Sequence, residues 1–304
     1  MKYTAPLESH SVKIRETILG LGEGAVKIGG EDAFPCHLFE GSLPNQPAVA
    51  LEILDMRPEN WVQWVTEPYG DVLSDPAAWA VKCVEEYGAQ TLFLRLQSTD
   101  PMGMDATAAS AAETATKVLD AVDVPLIVWG TGNEKKDSSV LTETAKACSG
   151  KNIVLGPVLK GNYEEIANAA MEHGQAIVAQ ASMDANLTKE LNIVLCKFFP
   201  ADKIIVDPTA SALGYGLEYT FSIIESIKLF GLVDKDNMMQ MPIFADAGVE
   251  CWRTKEAKES KAQGVLWEAM NALTFLLAGA NLLVLRHPES LRLIKELMSK
   301  DPGS

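Results

Sequence analysis

Asp207 closes the run Ile204–Pro208 (IIVDP), and a loop of small residues, Thr209–Gly216 (TASALGYG), separates it from a helix pattern that begins at Leu217. An acid after three β-branched residues is where a strand buried on both faces leaves its sheet, so its carboxylate can meet a ligand there. Asp55 and Asp246 end apolar runs in the same way, and His287 follows another. Such carboxylates can hold a cationic ring or accept hydrogen bonds from amides; capping their own loops is the equal alternative. A lone strand-end histidine reads first as a satisfied structural residue and only then as a general base. The loop offers Thr209, Ser211 and the Tyr215 hydroxyl among alanines and two glycines. That composition suits a surface laid against a large ligand through backbone amides.

Other chemistries lack their residues. No apolar run carries a lysine at its end where a neutral Schiff-base amine would sit; Lys203 opens its run instead. Three successive runs end in Gly130, Pro157 and Ser182, which gives a metal no ligand series. The last run leads into His287-Pro288-Glu289-Ser290, a poor phosphate cradle without glycine. The five cysteines, Cys36, Cys83, Cys148, Cys196 and Cys251, never approach C-x-x-C spacing, so they hold no cluster or structural zinc and read as reduced thiols. Lys135-Lys136 and Arg253-Thr254-Lys255 with Lys258 and Lys261 make the loops locally positive or are simply solvated charge.

The elements that would position these residues repeat. Apolar runs at 48–54, 91–97, 125–130, 152–158, 176–182, 203–208, 242–248 and 282–288 alternate with helix patterns, several opening on Asp or Asn as N-cap (Asp75, Asp105, Asp137, Asn162, Asp184) and several closing on Gly. Eight of each is the count of a (β/α)8 TIM barrel, whose function sits in the loops after the strands. A doubly wound sheet is second, since LEILDMRPENW (51–61) lacks the glycine fingerprint such a sheet shows. Residues 1–46 fit the period poorly and predict an N-terminal hairpin-like extension or plug, with strands at Thr17–Leu19 and Ala25–Ile28; the barrel domain is 47–304. The segment GVLWEAMNALTFLLAG (264–279) is apolar nearly all round, which implies cover by the N-terminal segment or by another chain.

Over 304 residues, 47% are hydrophobic and 22% charged, an ordinary globular composition with material for a large core. A formal charge of −15 disfavours nucleic acid and anionic membranes as partners. The N-terminus lacks a signal-like apolar core, and LLAGANLLVL (276–285) is too short and broken to span a bilayer, so a cytoplasmic location is expected.

With KIGGEDAFPCHLFEG (27–41), ALEILDMRPENW (50–61), DPTASALGYGLEYTFSIIESIKL (207–229) and ADAGVECWR (245–253) in view, the chain resembles the small subunit of the corrinoid iron–sulfur protein. This is the delta subunit type of the acetyl-CoA decarbonylase/synthase system in the reductive acetyl-CoA pathway, and the resemblance runs from about Lys13 to Met298. It implies a TIM-barrel subunit, not catalytic on its own, in a heterodimer with a large subunit that carries a [4Fe-4S] cluster and a mobile corrinoid domain. The heterodimer moves a methyl group from methyltetrahydrofolate, through a folate-dependent methyltransferase, to acetyl-CoA synthase, and a reductive activator is a further partner left open. The resemblance further implies that the small subunit's strand-end face covers the corrinoid. The corrinoid-facing role falls on the loop that matches, Thr209, Ala210, Ser211, Leu213, Gly214 and Tyr215, with Asp207 beside it; no catalytic residue and no metal ligand is assigned. A free-standing folate-dependent methyltransferase is the alternative, with Asp207 holding the pterin, although asparagines at the middle strand ends are absent unless Asn133 serves. A barrel hydrolase or aldolase ranks last.

Overall fold

The structure, a computed structural model, describes residues 7–299; residues 1–6 and 300–304, parts of the expected extension and barrel, lie outside the described residues. Two strands come first: β1 (Thr17–Leu19) and β2 (Val26–Ile28) pair antiparallel, with Ile18 opposite Lys27. Eight parallel strands follow: β3 (Ala48–Leu54), β4 (Leu92–Arg95), β5 (Leu126–Trp129), β6 (Val154–Val158), β7 (Ala176–Gln180), β8 (Ile204–Asp207), β9 (Phe244–Asp246) and β10 (Leu282–Leu285). Each lies beside its sequence neighbour, β10 beside β3, and the Val206–Ile243 bridge joins β8 to β9, so the sheet curls into a barrel. The expected TIM barrel and N-terminal hairpin are both present. β3 fills its apolar run, and the other strands are shorter than theirs because the ends of those runs turn into loop.

Between the strands lie α2 (Pro76–Glu85), α3 (Ala108–Ala121), α4 (Glu134–Ala147), α5 (Tyr163–Glu172), α6 (Ala185–Leu195), α7 (Leu217–Leu232), α9 (Lys261–Ala278) and α10 (Pro288–Met298); the short α1 (Gln63–Thr66) and α8 (Ala247–Cys251) sit in the loops after β3 and β9. Asp75 and Asp184 cap α2 and α6 with bonds from two backbone amides each, as their sequence positions foretold. Two starts differ from the pattern. Thr107, not Asp105, caps α3, and α4 begins a turn before Asp137, under Asn133. Asp137 is buried inside α4 and accepts from the amides of Thr131 (2.9 Å) and Gly132 (2.8 Å), so its pull is on the preceding loop.

Alternation along the strands splits the core in two. Val49, Leu51 and Ile53 pack outward under the helices, whereas Ala48, Ala50, Phe93, Ile127, Trp129, Val154, Val178, Ile205, Phe244 and Val284 fill the barrel. Leu19 and Ile28 of the hairpin join that inner cluster and are fully buried, each worth about 1.5–3 kcal/mol. Asn152 Nδ2 donates to the carbonyls of Ile18 (2.8 Å) and Gly20 (3.0 Å), and Thr17 Oγ1 to that of Asp202 (2.8 Å), tying the hairpin across the ends where the strands begin. The N-terminal segment also reaches α7, where Lys228 meets Glu31. The described N-terminal residues leave the outer face of α9 bare: Leu266, Met270 and Leu277 are 57%, 48% and 45% exposed. No helix among the described residues is long and apolar enough to cross a membrane.

Candidate functional site at the barrel mouth

The period-two count continues to the strand ends, and there the inward positions change character. Above the apolar interior they are Glu52, Arg95, Gln180, Asp207, Asp246 and, one residue past β10, Arg286. Beneath them Trp129 stacks on Phe244, centroids 5.0 Å apart, with Phe93 completing an aromatic floor. Gly156 makes room for that indole: a Cβ there would lie 2.5 Å from Trp129.

The charges satisfy one another. Arg95 Nε donates to Glu52 Oε1 (2.5 Å) and its Nη2 to Asp246 Oδ2 (2.6 Å), while Arg286 Nε donates to Glu52 Oε2. The Arg95 guanidinium lies 5.0 Å from the Phe93 ring centroid, and that of Arg286 lies 4.7 Å from Trp61. Burial alone would raise the Glu52 pKa, but Arg286 and Arg95 hold it at about 2. Asp246 is raised by burial, against the pull of Arg95, and its Oδ1 accepts from the Val249 amide (3.0 Å) to cap α8. Asp207 has no guanidinium in contact. Its carboxylate accepts from Gln180 Nε2 (2.6 Å) and from the Thr209 amide (2.7 Å), and burial pushes its pKa up to about 7.

The remaining strand-end candidates serve their own loops. Asp55 accepts from the amide (2.9 Å) and hydroxyl (2.5 Å) of Ser98, binding the first two strand-end loops together. His287 accepts from the Glu289 amide at Nδ1 (3.1 Å), and its Nε2 lies 3.1 Å from the Trp64 carbonyl, so Nε2 carries the proton. Burial lowers its pKa to about 4, and it has no free nitrogen for general-base work. Lys136 pairs with Asp105 (2.6 Å), Arg253 with Glu250 (2.5 Å) and Lys261 with Glu289 (2.6 Å), which neutralises much of the loop charge.

The loop 209–216 is held from below more firmly than its composition suggests. The amide of Thr209 goes to Asp207, that of Ser211 to Thr220 Oγ1 (2.8 Å), that of Leu213 to Asn271 Oδ1 (2.9 Å) and that of Tyr215 to the Ala212 carbonyl (2.8 Å). Alternate amides are therefore consumed by the fold, and so are the carbonyls of Ala212 and Gly216, which accept from Tyr215 and from Tyr219. This differs from a surface made of free amides. Thr209 adopts φ +63°, a left-handed conformation rare for a β-branched residue, stabilised by the Asp207 bond. Gly214 is exposed at φ +80°, with nothing within 4 Å of a Cβ built on it. Tyr215 bonds Glu256 (2.9 Å) across a cleft of about 360 Å³ shared with Arg253 and Lys255. A second groove of about 240 Å³ opens between Arg57, Trp61 and Met104. The structure thus sets Thr209, Ala210, Ser211, Leu213, Gly214 and Tyr215 in one loop at the rim, with Asp207 buried at its base. Glu52, Arg95, Gln180 and Arg286 were missed, although charges inside the runs AVALEIL, LFLR and LLVLR were the available signal.

The sequence profile of the CO dehydrogenase/acetyl-CoA synthase delta subunit family matches residues 16–301. The chain belongs to that family. Among similar proteins, the acetyl-CoA decarbonylase/synthase complex subunit delta of Archaeoglobus fulgidus is 36% identical, over 98% of this chain and 70% of the relative. That of Methanothermobacter thermautotrophicus is 34% identical over 97% and 78%. Solved structures of similar shape include a Xanthomonas albilineans dihydropteroate synthase (TM-score 0.58, 15% identity, 86% of this chain and 96% of that one). A Coxiella burnetii dihydropteroate synthase has TM-score 0.58 and 15% identity over 88% and 97%. At such identities these structures speak for the barrel fold of this delta-family chain and for nothing more. Among the described residues no group of three or more His, Cys, Asp or Glu side chains is placed to hold a metal ion.

Proposed function

We infer that this delta-family chain is the small subunit of a heterodimeric corrinoid iron–sulfur protein and that its mouth covers the corrinoid held by a larger subunit. The corrinoid supplies the cobalt that carries the methyl group from methyltetrahydrofolate, by way of a methyltransferase, to acetyl-CoA synthase; the [4Fe-4S] cluster belongs to the larger subunit. The observation that carries this reading is the self-satisfied mouth. Glu52, Arg95, Asp246 and Arg286 spend their charges on each other, and His287 and Asp55 spend their hydrogen bonds on loops, so the rim meets a ligand with small groups rather than reactive ones. Thr209, Ala210, Ser211, Leu213, Gly214 and Tyr215 suit a broad, flat macrocycle, since their side chains are mostly small and Gly214 is exposed with open space where a side chain would stand. Excluding water is then this chain's contribution.

The test is titration of the isolated chain with methyltetrahydrofolate in a calorimeter, alongside assay of methyl transfer to free cobalamin. The proposal expects neither tight binding nor turnover alone, and copurification with a coloured, cluster-bearing larger subunit on coexpression. Turnover by the lone chain would instead establish the free-standing methyltransferase, which Asp207 and Gln180, a buried carboxyl–amide pair, favour as the second reading.

A further inference from the structure

Two helices send buried polar side chains to the mouth, and packing gives them no reason to. The buried residues of α9 are glycine, alanine, valine and phenylalanine, as an apolar helix against a barrel requires, except for Glu268 and Asn271, which are both fully buried. Standing three apart, these two share a face of the helix. Glu268 accepts from the amides of Arg286 (2.7 Å) and His287 (3.1 Å), so it grips the residues that follow β10, one arginine of the charged ring among them. Asn271 Oδ1 accepts from the Leu213 amide (2.9 Å). From α7, the fully buried Thr220 accepts at Oγ1 from the Ser211 amide (2.8 Å).

Asn271 is costly where it stands. Asparagine forms helices less readily than leucine, and a buried primary amide loses its water from both ends. Leu213 satisfies Oδ1, but Nδ2 has no hydrogen-bond partner among the described residues. A leucine of similar size would avoid both penalties; it could not hold the Leu213 amide. The loop needs holding from outside. Gly214 is exposed in a left-handed conformation, and within 209–216 the bond from the Tyr215 amide to the Ala212 carbonyl closes only a single turn. Ser211 and Leu213 stand two apart on anchors from different helices, and those helices pack against each other, so the frame of α7 and α9 fixes where the loop sits.

We propose that Asn271 and Thr220 are positioning residues, which hold the loop 209–216 where it covers a flat ligand at the mouth. This rests on the corrinoid-subunit reading and adds that the cover is set by two side chains that do not themselves reach its surface. Asn271→Leu and Thr220→Val each remove one anchor at nearly constant volume, while Thr220→Ser keeps the hydroxyl. The first readout is hydrogen exchange across 209–216, in the isolated full chain and in the heterodimer coexpressed with the larger subunit. The second, in the oxidised heterodimer, is the rate at which added cyanide shifts the corrinoid's visible spectrum, which reports access to the cobalt rather than methyl transfer. Exchange in the isolated chain should be about 2- to 10-fold faster in Asn271→Leu and Thr220→Val but not in Thr220→Ser. Cyanide should act at least about twice as fast on the same two heterodimers, and both variants should melt within about 3 °C of the parent. Unchanged exchange in both variants overturns the anchoring. Faster exchange with an unchanged cyanide rate, in a heterodimer whose parent loop is protected, overturns the positioning role and leaves the corrinoid reading standing. Larger melting losses that Thr220→Ser shares make the two residues merely structural and also overturn the proposal. A heterodimer that fails to form, or one in which 209–216 exchanges as fast as in the chain alone, overturns the corrinoid reading and the proposal with it.

Discussion

Replacing Lys228 with Met removes the one base from a buried cluster that joins the N-terminal segment to the barrel. Lys228 Nζ contacts Glu31 Oε1 and donates to Asn281 Oδ1 (2.9 Å), while Asn281 Nδ2 donates to Glu31 Oε1 (2.8 Å). Both charged side chains are at most 3% exposed, so solvent screening is slight. Burial raises the Glu31 pKa, but the ammonium and the bonds from Lys228 and Asn281 hold it below the usual range. Burial also pulls Lys228 down; the cluster is read as ionised because Asn281 donates to the carboxylate and accepts from the ammonium. Lys228→Met keeps the stem's volume against Gly279 and strands the carboxylate, whose Oε2 already has no partner. Stranding a buried charge costs about 3–5 kcal/mol.

For 304 residues an unfolding entropy of about 0.6 kcal/mol/K converts that to a melting loss of about 5–8 °C. The pH dependence carries the sharper test. With Lys228 present the folded pKa of Glu31 is depressed, so its contribution is present above the unfolded value of about 4.3 and lost below the folded one. Without Lys228 burial prevails and the folded pKa rises, so stability falls as pH rises from about 4.3 towards that value. The deficit should therefore be larger at pH 8 than at pH 5, and adding Glu31→Gln should recover more than half of it at pH 8. Calorimetric melting of the parent, the two single variants and the double variant measures this. A loss of under about 1 kcal/mol, or a deficit equal at both pH values, would refute an ionised, load-sharing pair.

Further expectations concern the mouth. Asp207 and His287 tilt stability in opposite directions. Asp207, raised to about 7, loses stability as pH climbs from about 4 through 7, up to about 4 kcal/mol, and Asp207→Asn should flatten that alkaline limb of a melting profile. His287, lowered to about 4, loses stability as pH falls from about 6.5 through 4, so His287→Gln should flatten the acid limb. Arg95→Met leaves Glu52 with Arg286 alone and Asp246 with no base, and should cost about 3–5 kcal/mol in denaturant unfolding. Gly214→Val meets no neighbour but must hold φ +80°, a strain of about 1–2 kcal/mol; under the proposed function its methyl-transfer loss should exceed what that melting change explains.

The barrel was legible because its evidence is local and repeated. Each strand announces itself as a short apolar run, Gly20 and Gly22 part β1 from β2, and Gly29 ends β2. The charged layer at the mouth was not, because its meaning lies in pairings across 43, 151 and 234 residues of chain. Read along the sequence, Glu52 is one acid in an apolar strand, and only the closing of β10 on β3 shows that Arg286 answers it. Asp137 taught the converse. It carries the look of an N-cap, but the amides of Thr131 and Gly132 compete for it from the loop before, and the helix starts a turn early under Asn133. The loop 209–216 was found from its small residues, yet its composition could not tell which amides the fold would consume, since Thr220 and Asn271, which bind two of them, belong to later helices.

Buried charges are a costly way to finish a barrel when leucines would serve, so the ring of Glu52, Arg95, Asp246 and Arg286 calls for a reason beyond stability. Its formal charges cancel, two guanidiniums against two carboxylates, and each arginine also lies over an aromatic face. The result is a stiff, polarisable floor with no net charge, beside an Asp207 whose burial favours its neutral form. An apolar floor of aliphatic side chains would invite its own collapse or an apolar guest. A floor with one free charge would draw water and ions towards whatever lies above it. A locked, neutral ring does neither, and that suits a chain whose proposed task at the mouth is to keep solvent from a cofactor that another subunit carries.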